Sequence, residues 1–247
     1  MPLYKYRANS ARALEMLILR ELYFAAPASL NDPYDCRIDI RASLAAAIDR
    51  ATEANDAKLR SNFERLRKME HVYEKMDADL GKLGVLSFGK RPDSVLMWSH
   101  YAENHKGFCV GFELSEKFMT HRNQEKIVGA IDVSYICENP YVDYFNEIVR
   151  AENPPEWDDF WQSLLSMGMV AKSKAWEYEE EVRVLRKSAG GVPFTPAELT
   201  EVIFGLNMSG RAREVTRKLL SGDEWAHVRF REAYRTHDFT LRLRDAT

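Results

Sequence analysis

No stretch of this sequence concentrates basic residues. Its 35 lysines and arginines are balanced by 38 aspartates and glutamates, for a net charge of −3. General affinity for nucleic acid is therefore not expected, although a local positive cleft stays open. Cysteine is scarce: Cys36, Cys109 and Cys137 are odd in number and far apart. No CxxC or Cys/His cluster occurs, so neither a structural metal nor a disulfide framework is expected, and a reducing cytoplasm fits best. No charged segment followed by an apolar stretch opens the sequence, and the apolar runs are too short to span a bilayer. The expectation is a cytoplasmic protein without a membrane partner. Several nucleotide and hydrolase signatures are also missing. No GxGxxG follows a strand, no GxxxxGK[ST] occurs, and no G-x-S-x-G elbow is present. There is no internal repeat and no low-complexity linker.

What is there reads as an ordinary globular chain. It has 247 residues, 45% of them hydrophobic and 30% charged, with 5 tryptophans, 11 tyrosines and 12 phenylalanines. A chain of this length can bury a sizeable core. We read one domain over residues 1–247, with a helical insertion at 41–80 and a helical subregion at 141–172.

Local patterns place the elements. "LYKYR" reads as a strand, "SARALEMLILREL" as a helix capped by Ser10 with Leu14, Leu17, Ile18 and Glu21 on one stripe, and "LYFAAP" as a strand. Apolar residues from Leu59 to Met76 recur every three or four positions, predicting one long helix or two. "LGVLSFG" reads as a strand, "DSVLMWSHYAENH" as a helix ended by Gly107, and "GFCVGFEL" as a strand with Phe108, Val110 and Phe112 on one face. "KIVGAIDVSYI" and "EVIFG" read as strands, "SGRAREVTRKLL" as an amphipathic helix, and "HVRF" and "FTLRL" as closing strands. The helical stretch from Tyr141 to Lys172 is broken at Pro154-Pro155. Strands and helices mix without strict βαβ alternation. That predicts an α+β fold with a mixed, mostly antiparallel sheet, whole or split.

Four clusters carry candidate chemistry. The first is "WEYEEEVRVLR", Trp176–Arg186. As a helix it would crowd glutamates without interleaved lysines. As a strand it packs Trp176, Tyr178, Val182 and Val184 and turns Glu179, Glu181 and Arg183 to the other face. Paired carboxylates there can divide labour between holding a ligand and moving a proton; a solvated edge strand is the plainer alternative. The second is "MWSHYAENHKG". On a helix, Trp98, Tyr101 and His105 share one face and His100, Glu103 and Asn104 another. His100 and Glu103 could reach one metal, but His100 and His105 do not have the H-E-x-x-H spacing. The third is Asn31-Asp32-Pro33-Tyr34-Asp35, either an Asx-turn or a ligand-binding loop. The fourth is "YKYR", with Tyr4 and Tyr6 on one strand face, and Lys5 and Arg7, a candidate phosphate-binding arginine, on the other. Cys109 sits in an apolar strand pattern and reads as a small buried residue.

In this order, "YKYR", "ELYFAAPASLNDPYDC", "LSFG" leading to "LMWSHYAENHKGFCVGFE", "KSKAWEYEEEVRVLR" and "EVIFGLNMS" resemble the family catalogued as domain of unknown function 2971, made up of bacterial and phage proteins. The likeness spans nearly the whole chain. Leu30 stands where the family usually has phenylalanine, and Val182 where an aromatic residue is common. A remoter resemblance is to ADP-ribosyltransferase folds, which combine an Arg or His on an early strand, a Ser or Tyr on a middle strand, and Glu-x-Glu on a late one. Arg7, Ser87 and Glu179-x-Glu181 follow that order, with Tyr4 or Tyr6 as alternatives to Arg7.

That resemblance implies NAD as substrate and a nucleotide site. Glu181 would stabilise the ribosyl cation and Glu179 would orient or deprotonate the acceptor. Ser87 would position the ribose and Arg7 would neutralise the pyrophosphate. Trp98 or Tyr101 would stack on nicotinamide, and Asn31, Asp32 and Asp35 would line the rim. Tyr4, Tyr6, His100 and Arg183 complete the expected set. The acceptor macromolecule is unspecified. Two alternatives stand beside this: a Mg²⁺- or Mn²⁺-dependent phosphodiester hydrolase using Asp32, Asp35, His100, Glu179 and Glu181, and a non-catalytic nucleotide- or protein-binding module with a partner surface near Trp157 and Trp161.

Overall fold

A computed structural model describes residues 2–37, 39–53, 57–119, 127–152 and 155–246. In chain order the elements are strand β1 (Leu3–Arg7), helix α1 (Ala11–Ile18), strand β2 (Glu21–Phe24), helices α2 (Ile40–Glu53), α3 (Ala57–Arg67) and α4 (Glu70–Lys82), strand β3 (Gly84–Gly89), helix α5 (Val95–Tyr101), strand β4 (Phe108–Phe112), helix α6 (Glu116–Met119), strands β5 (Ile127–Asp132) and β6 (Ser134–Ile136), helices α7 (Pro140–Arg150) and α8 (Trp157–Val170), strands β7 (Ala171–Ser173), β8 (Glu181–Arg186), β9 (Gly190–Pro193) and β10 (Leu199–Phe204), helix α9 (Gly210–Leu219), and strands β11 (Arg229–Arg235) and β12 (Leu241–Asp245). The class is α+β, as the unalternated mixture of elements predicts.

The chain divides into two compact units. The first comprises Met1–Ala25, Gly84–Asp132 and Glu177–Thr247; the second comprises Ala26–Leu83 and Val133–Trp176. The first is built on an eight-stranded sheet in the order β12-β11-β10-β4-β1-β3-β8-β5. Its pairs are antiparallel except β10 with β11. Along β1 and β4 the register is continuous, from Leu3↔Phe112 to Arg7↔Phe108. Between β1 and β3 it is a single pair, Tyr4↔Gly89. The sheet is therefore unbroken in order but parts along most of the β1–β3 seam.

Alternation along the strands decides the two faces. One face carries Phe108, Val110 and Phe112 together, as the "GFCVGFEL" pattern predicts. They pack with Leu86, Phe88, Val184, Val202 and Phe204 against α1 and β2. The opposite face carries Tyr4, Tyr6, Cys109 and Ile203 and is covered by Met97, Trp98 and Ala102. The Cys109 thiol is fully enclosed and burial raises its pKa, which agrees with a packing role.

Helix α1 is shorter than its sequence pattern. Ser10 caps it, its side chain accepting from the Ala13 amide, but Ala13, Met16 and Leu17 form the buried stripe. Ile18 is exposed, and Glu21 has already entered β2. Of the expected stripe Leu17 is buried and Leu14 is partly buried against the core, but Ile18 and Glu21 leave it because the helix ends at Ile18 and the chain turns at Arg20, whose φ is 53°.

Both segments set apart by the sequence, 41–80 and 141–172, lie in the second unit. Among the described residues the first holds α2, α3 and α4, with a turn at Lys68–Met69 between α3 and α4, so it is not one unbroken helix. Its periodic residues Phe63, Tyr73 and Met76 pack with Tyr141, Phe145, Phe160 and Leu164 of α7 and α8. Pro154 of the expected break lies outside the described residues. Parallel strands β6 and β7 form a small separate sheet.

Phe112, fully buried between Phe88 and Phe194, should be among the costliest truncations in the first unit. Phe112→Ala is expected to lower the unfolding free energy by about 3–5 kcal/mol in denaturant titration, and exposed Val95→Ala by less than about 0.5 kcal/mol.

Candidate functional site

The "WEYEEEVRVLR" stretch is not one strand. Lys174–Glu179 forms a 3₁₀ segment, and β8 begins only at Glu181. Glu180 between them has φ 43°. This left-handed residue interrupts the alternation, so Glu179 and Glu181 are not related by a strand's two-residue repeat. Both are nonetheless buried while Glu180 is exposed. Glu180 is tied outward: its carbonyl accepts from the Lys90 amide at 3.1 Å and its carboxylate faces Arg91 at 3.4 Å. Val182 and Val184 pack inside as expected.

On β8, Glu181 and Arg183 share a face and grip each other side-on. Arg183 Nε donates to Glu181 Oε1 at 2.9 Å and Nη2 to Oε2 at 3.2 Å. The guanidinium is wholly enclosed and the carboxylate nearly so. A bidentate pair fixes both groups in direction as well as in energy. The register places Ser87 directly opposite Arg183, and Gly89 opposite Glu181. A Cβ at Gly89 would come within 3.2 Å of the Glu179 carbonyl, so the glycine lets the chain before β8 lie close to β3.

The β1–β3 seam brings in a residue that sequence reasoning did not select. Lys5 Nζ crosses the gap and donates to the Ser87 carbonyl at 2.9 Å, 5.5 Å from the centre of the Phe88 ring. Its pKa is pushed down to about 7, by burial first and then by the Arg7 charge, with Glu181 opposing. A lone strand lysine usually reaches solvent, so residue type does not single out Lys5. Only the parting of two strands distant in sequence gives it this place.

Arg7 lies on the same side of β1 as Lys5, opposite to Tyr4 and Tyr6. Its Nε is buried without a hydrogen-bond partner, and burial together with the nearby Arg12 charge lowers its pKa. Tyr4 donates to Glu201 at 3.0 Å, and Tyr6 to the Arg91 carbonyl at 2.7 Å. Burial raises both phenol pKa values. These bonds give the tyrosines structural roles at the seam.

Helix α5 closes the Tyr4–Tyr6 face. Ser94 caps it by accepting from the Met97 amide, and it ends at Tyr101, before Gly107. Glu103, Asn104 and His105 follow with φ of 52°, 53° and 67°. His100 and Glu103 are therefore not on one helical face, and the spacing that could have let both reach one metal is lost. Trp98 is fully buried, donates to the Pro92 carbonyl at 2.9 Å, and meets Tyr6 edge-on at 5.2 Å. It is a core residue. Tyr101 donates a short hydrogen bond to Glu179. Exposed His100 lies 5.8 Å from the Tyr178 ring.

Asn31, Asp32 and Asp35 belong to the second unit. Asp32 Oδ1 accepts from the Tyr34 amide at 2.9 Å, and the Asp35 amide donates to the Asp32 carbonyl at 3.2 Å. This is the Asx-turn alternative. Buried Asp35 pairs with Lys172 at 3.5 Å, and Lys172 lies over Trp176. Asn31 is exposed. Among the described residues, no three His, Cys, Asp or Glu side chains gather as metal ligands, and no helix is long and apolar enough to cross a membrane.

Residues 97–184 match the family model described as "Protein of unknown function (DUF2971)", from within α5 into β8. No curated protein and no solved structure matches the chain. The likeness to ADP-ribosyltransferase folds therefore rests on the residues alone.

Two outcomes test this geometry. Arg183→Met leaves the buried Glu181 carboxylate without the guanidinium and should cost about 3–5 kcal/mol of stability. Adding Glu181→Gln should recover part of that loss in a double-mutant cycle. Lys5 gives a pH signature. Its folded pKa of about 7 lies below the unfolded value of about 10.4. In that window the unfolded chain binds the proton and the folded chain does not, so stability climbs with pH. Below the window the burial cost is fully present. Lys5→Met should gain on wild type below about pH 7 and lose that relative gain toward about pH 10 in thermal melts.

Proposed function

We propose that the protein is an NAD-using transferase of the ADP-ribosyltransferase type, with Glu181 at its centre. The observation that carries this reading is adjacency. The strands bearing Arg7, Ser87 and Glu181 are far apart in sequence yet are neighbours in the sheet, in the order β1-β3-β8. Ser87 and Glu181 share a face through the Ser87↔Arg183 and Gly89↔Glu181 register.

The chemistry follows from charge. Departure of nicotinamide from NAD leaves an oxocarbenium-like ribose. A fixed carboxylate stabilises that cation without reorganising. Arg183 aims Glu181 through its two hydrogen bonds. Ser87 positions the ribose. Glu179, steadied by Tyr101, orients or deprotonates the acceptor. Arg7 stands on the Phe108 face of the sheet, whereas Ser87 and Glu181 stand on the Tyr4 face, so Arg7 does not join them and the partner of the pyrophosphate is left open. The acceptor is left open.

A second reading is a nucleotide-binding module without catalysis. It is favoured by the engagement of both carboxylates, Glu179 by Tyr101 and Glu181 by Arg183.

Nicotinamide release from NAD, with and without candidate protein, nucleic-acid and small-molecule acceptors, separates the two. The transferase reading expects turnover, with Glu181→Gln slower by about 10²–10³, the usual loss when one preorganised electrostatic group is removed. NAD binding without turnover would favour the module. Neither binding nor turnover, with Glu181→Gln indistinguishable from wild type, would sink the proposal.

A further inference from the structure

Lys5 takes no part in the transfer chemistry above, yet its surroundings are unusual for a lysine. An ammonium carries three donors. Here Nζ meets one acceptor, the Ser87 carbonyl at 2.9 Å, and otherwise the Phe88 ring. Arg7, two residues along the same side of β1, adds positive charge that no described carboxylate neutralises, since its buried Nε has no partner. Arg12 acts on Arg7 in turn and lies over the Tyr23 ring at 5.2 Å. Desolvation and a neighbouring cation are the two conditions that leave a lysine amine neutral and nucleophilic.

We propose that Lys5 is a nucleophilic amine that condenses with the carbonyl of a small anionic aldehyde or ketone, with Arg7 and Arg12 holding the anionic group. The Nζ lone pair attacks the carbonyl carbon, a C–N bond forms, and the π electrons move to oxygen. A proton passes from Nζ to that oxygen, giving a neutral carbinolamine. Loss of that hydroxyl and a second Nζ proton as water leaves an imine. No oxidant or reductant is consumed. The charged groups that act on the amine are Arg7, which favours its neutral form, and Glu181, which opposes it. The proposal is independent of NAD chemistry.

Pyridoxal 5′-phosphate is a direct probe, since it joins an aldehyde to a phosphate. The full chain is incubated with it near neutral pH, reduced with borohydride, and mapped by peptide mass spectrometry. Lys5 should be labelled at least about tenfold faster than exposed Lys106 and Lys187, because an ordinary lysine with a pKa of about 10.4 is almost wholly protonated there. Equal labelling of all three would overturn the proposal. Pyridoxal without the phosphate should react more slowly at Lys5, and Arg7→Gln should erase the difference; equal rates for both probes on wild type would remove the anion site. Lys5→Met should abolish the fast phase. Should that variant fail to fold, the wild-type rate at Lys5 still decides: a pH midpoint near about 7 supports the assignment and one near about 10 refutes it.

Discussion

The single register pair between β1 and β3 is the constraint on which the polar side of the sheet depends. Had the ladder continued past Tyr4↔Gly89, Ser87 would have stood opposite Tyr6 and its carbonyl could have been taken by the β1 backbone. Because it stops, the Ser87 carbonyl is left for a side chain, and the Lys5 amine takes it. One interruption in pairing thus creates a depressed lysine pKa and an opening in the sheet. The Glu181–Arg183 pair sits beside it, across β3.

Polar groups are affordable here because each carboxylate is matched. Glu181 has a guanidinium, Glu179 a phenol, and Glu201 receives Tyr4 and faces Arg231. An unmatched buried charge would cost several kcal/mol, a large fraction of a domain's stability. Arg7 breaks the pattern, since its Nε has no protein partner. A cation left in that state, on the face of β1 away from Tyr4 and Glu181, lowers the cost of bringing an anion to its own side of the sheet.

Much of the fold was legible from periodicity. Period-two alternation placed Phe108, Val110 and Phe112 on one face, and the Ser10 cap marked the start of α1. Where the pattern misled, left-handed residues were responsible. Glu180 resets the phase between Glu179 and Glu181, and Glu103–His105 ends α5 early, separating His100 from Glu103. Non-glycine residues adopt such backbone only when their surroundings hold them there, so composition gives little warning of it.

By itself the sequence determined residue chemistry and facing: which carboxylates, arginines and tyrosines exist, and which neighbours along a strand share a side. It also set the α+β class through the mixture of its short-range periods. Tertiary structure alone decided which strands became neighbours, because β1, β3 and β8 pair across long intervening segments of helix and strand and not through any local preference. The same pairing chose Lys5 over the other lysines, fixed Arg183 on Glu181, and made Trp98 core. Local propensity acts over a few residues, whereas burial and partner choice depend on chain segments that meet only once the sheet has closed.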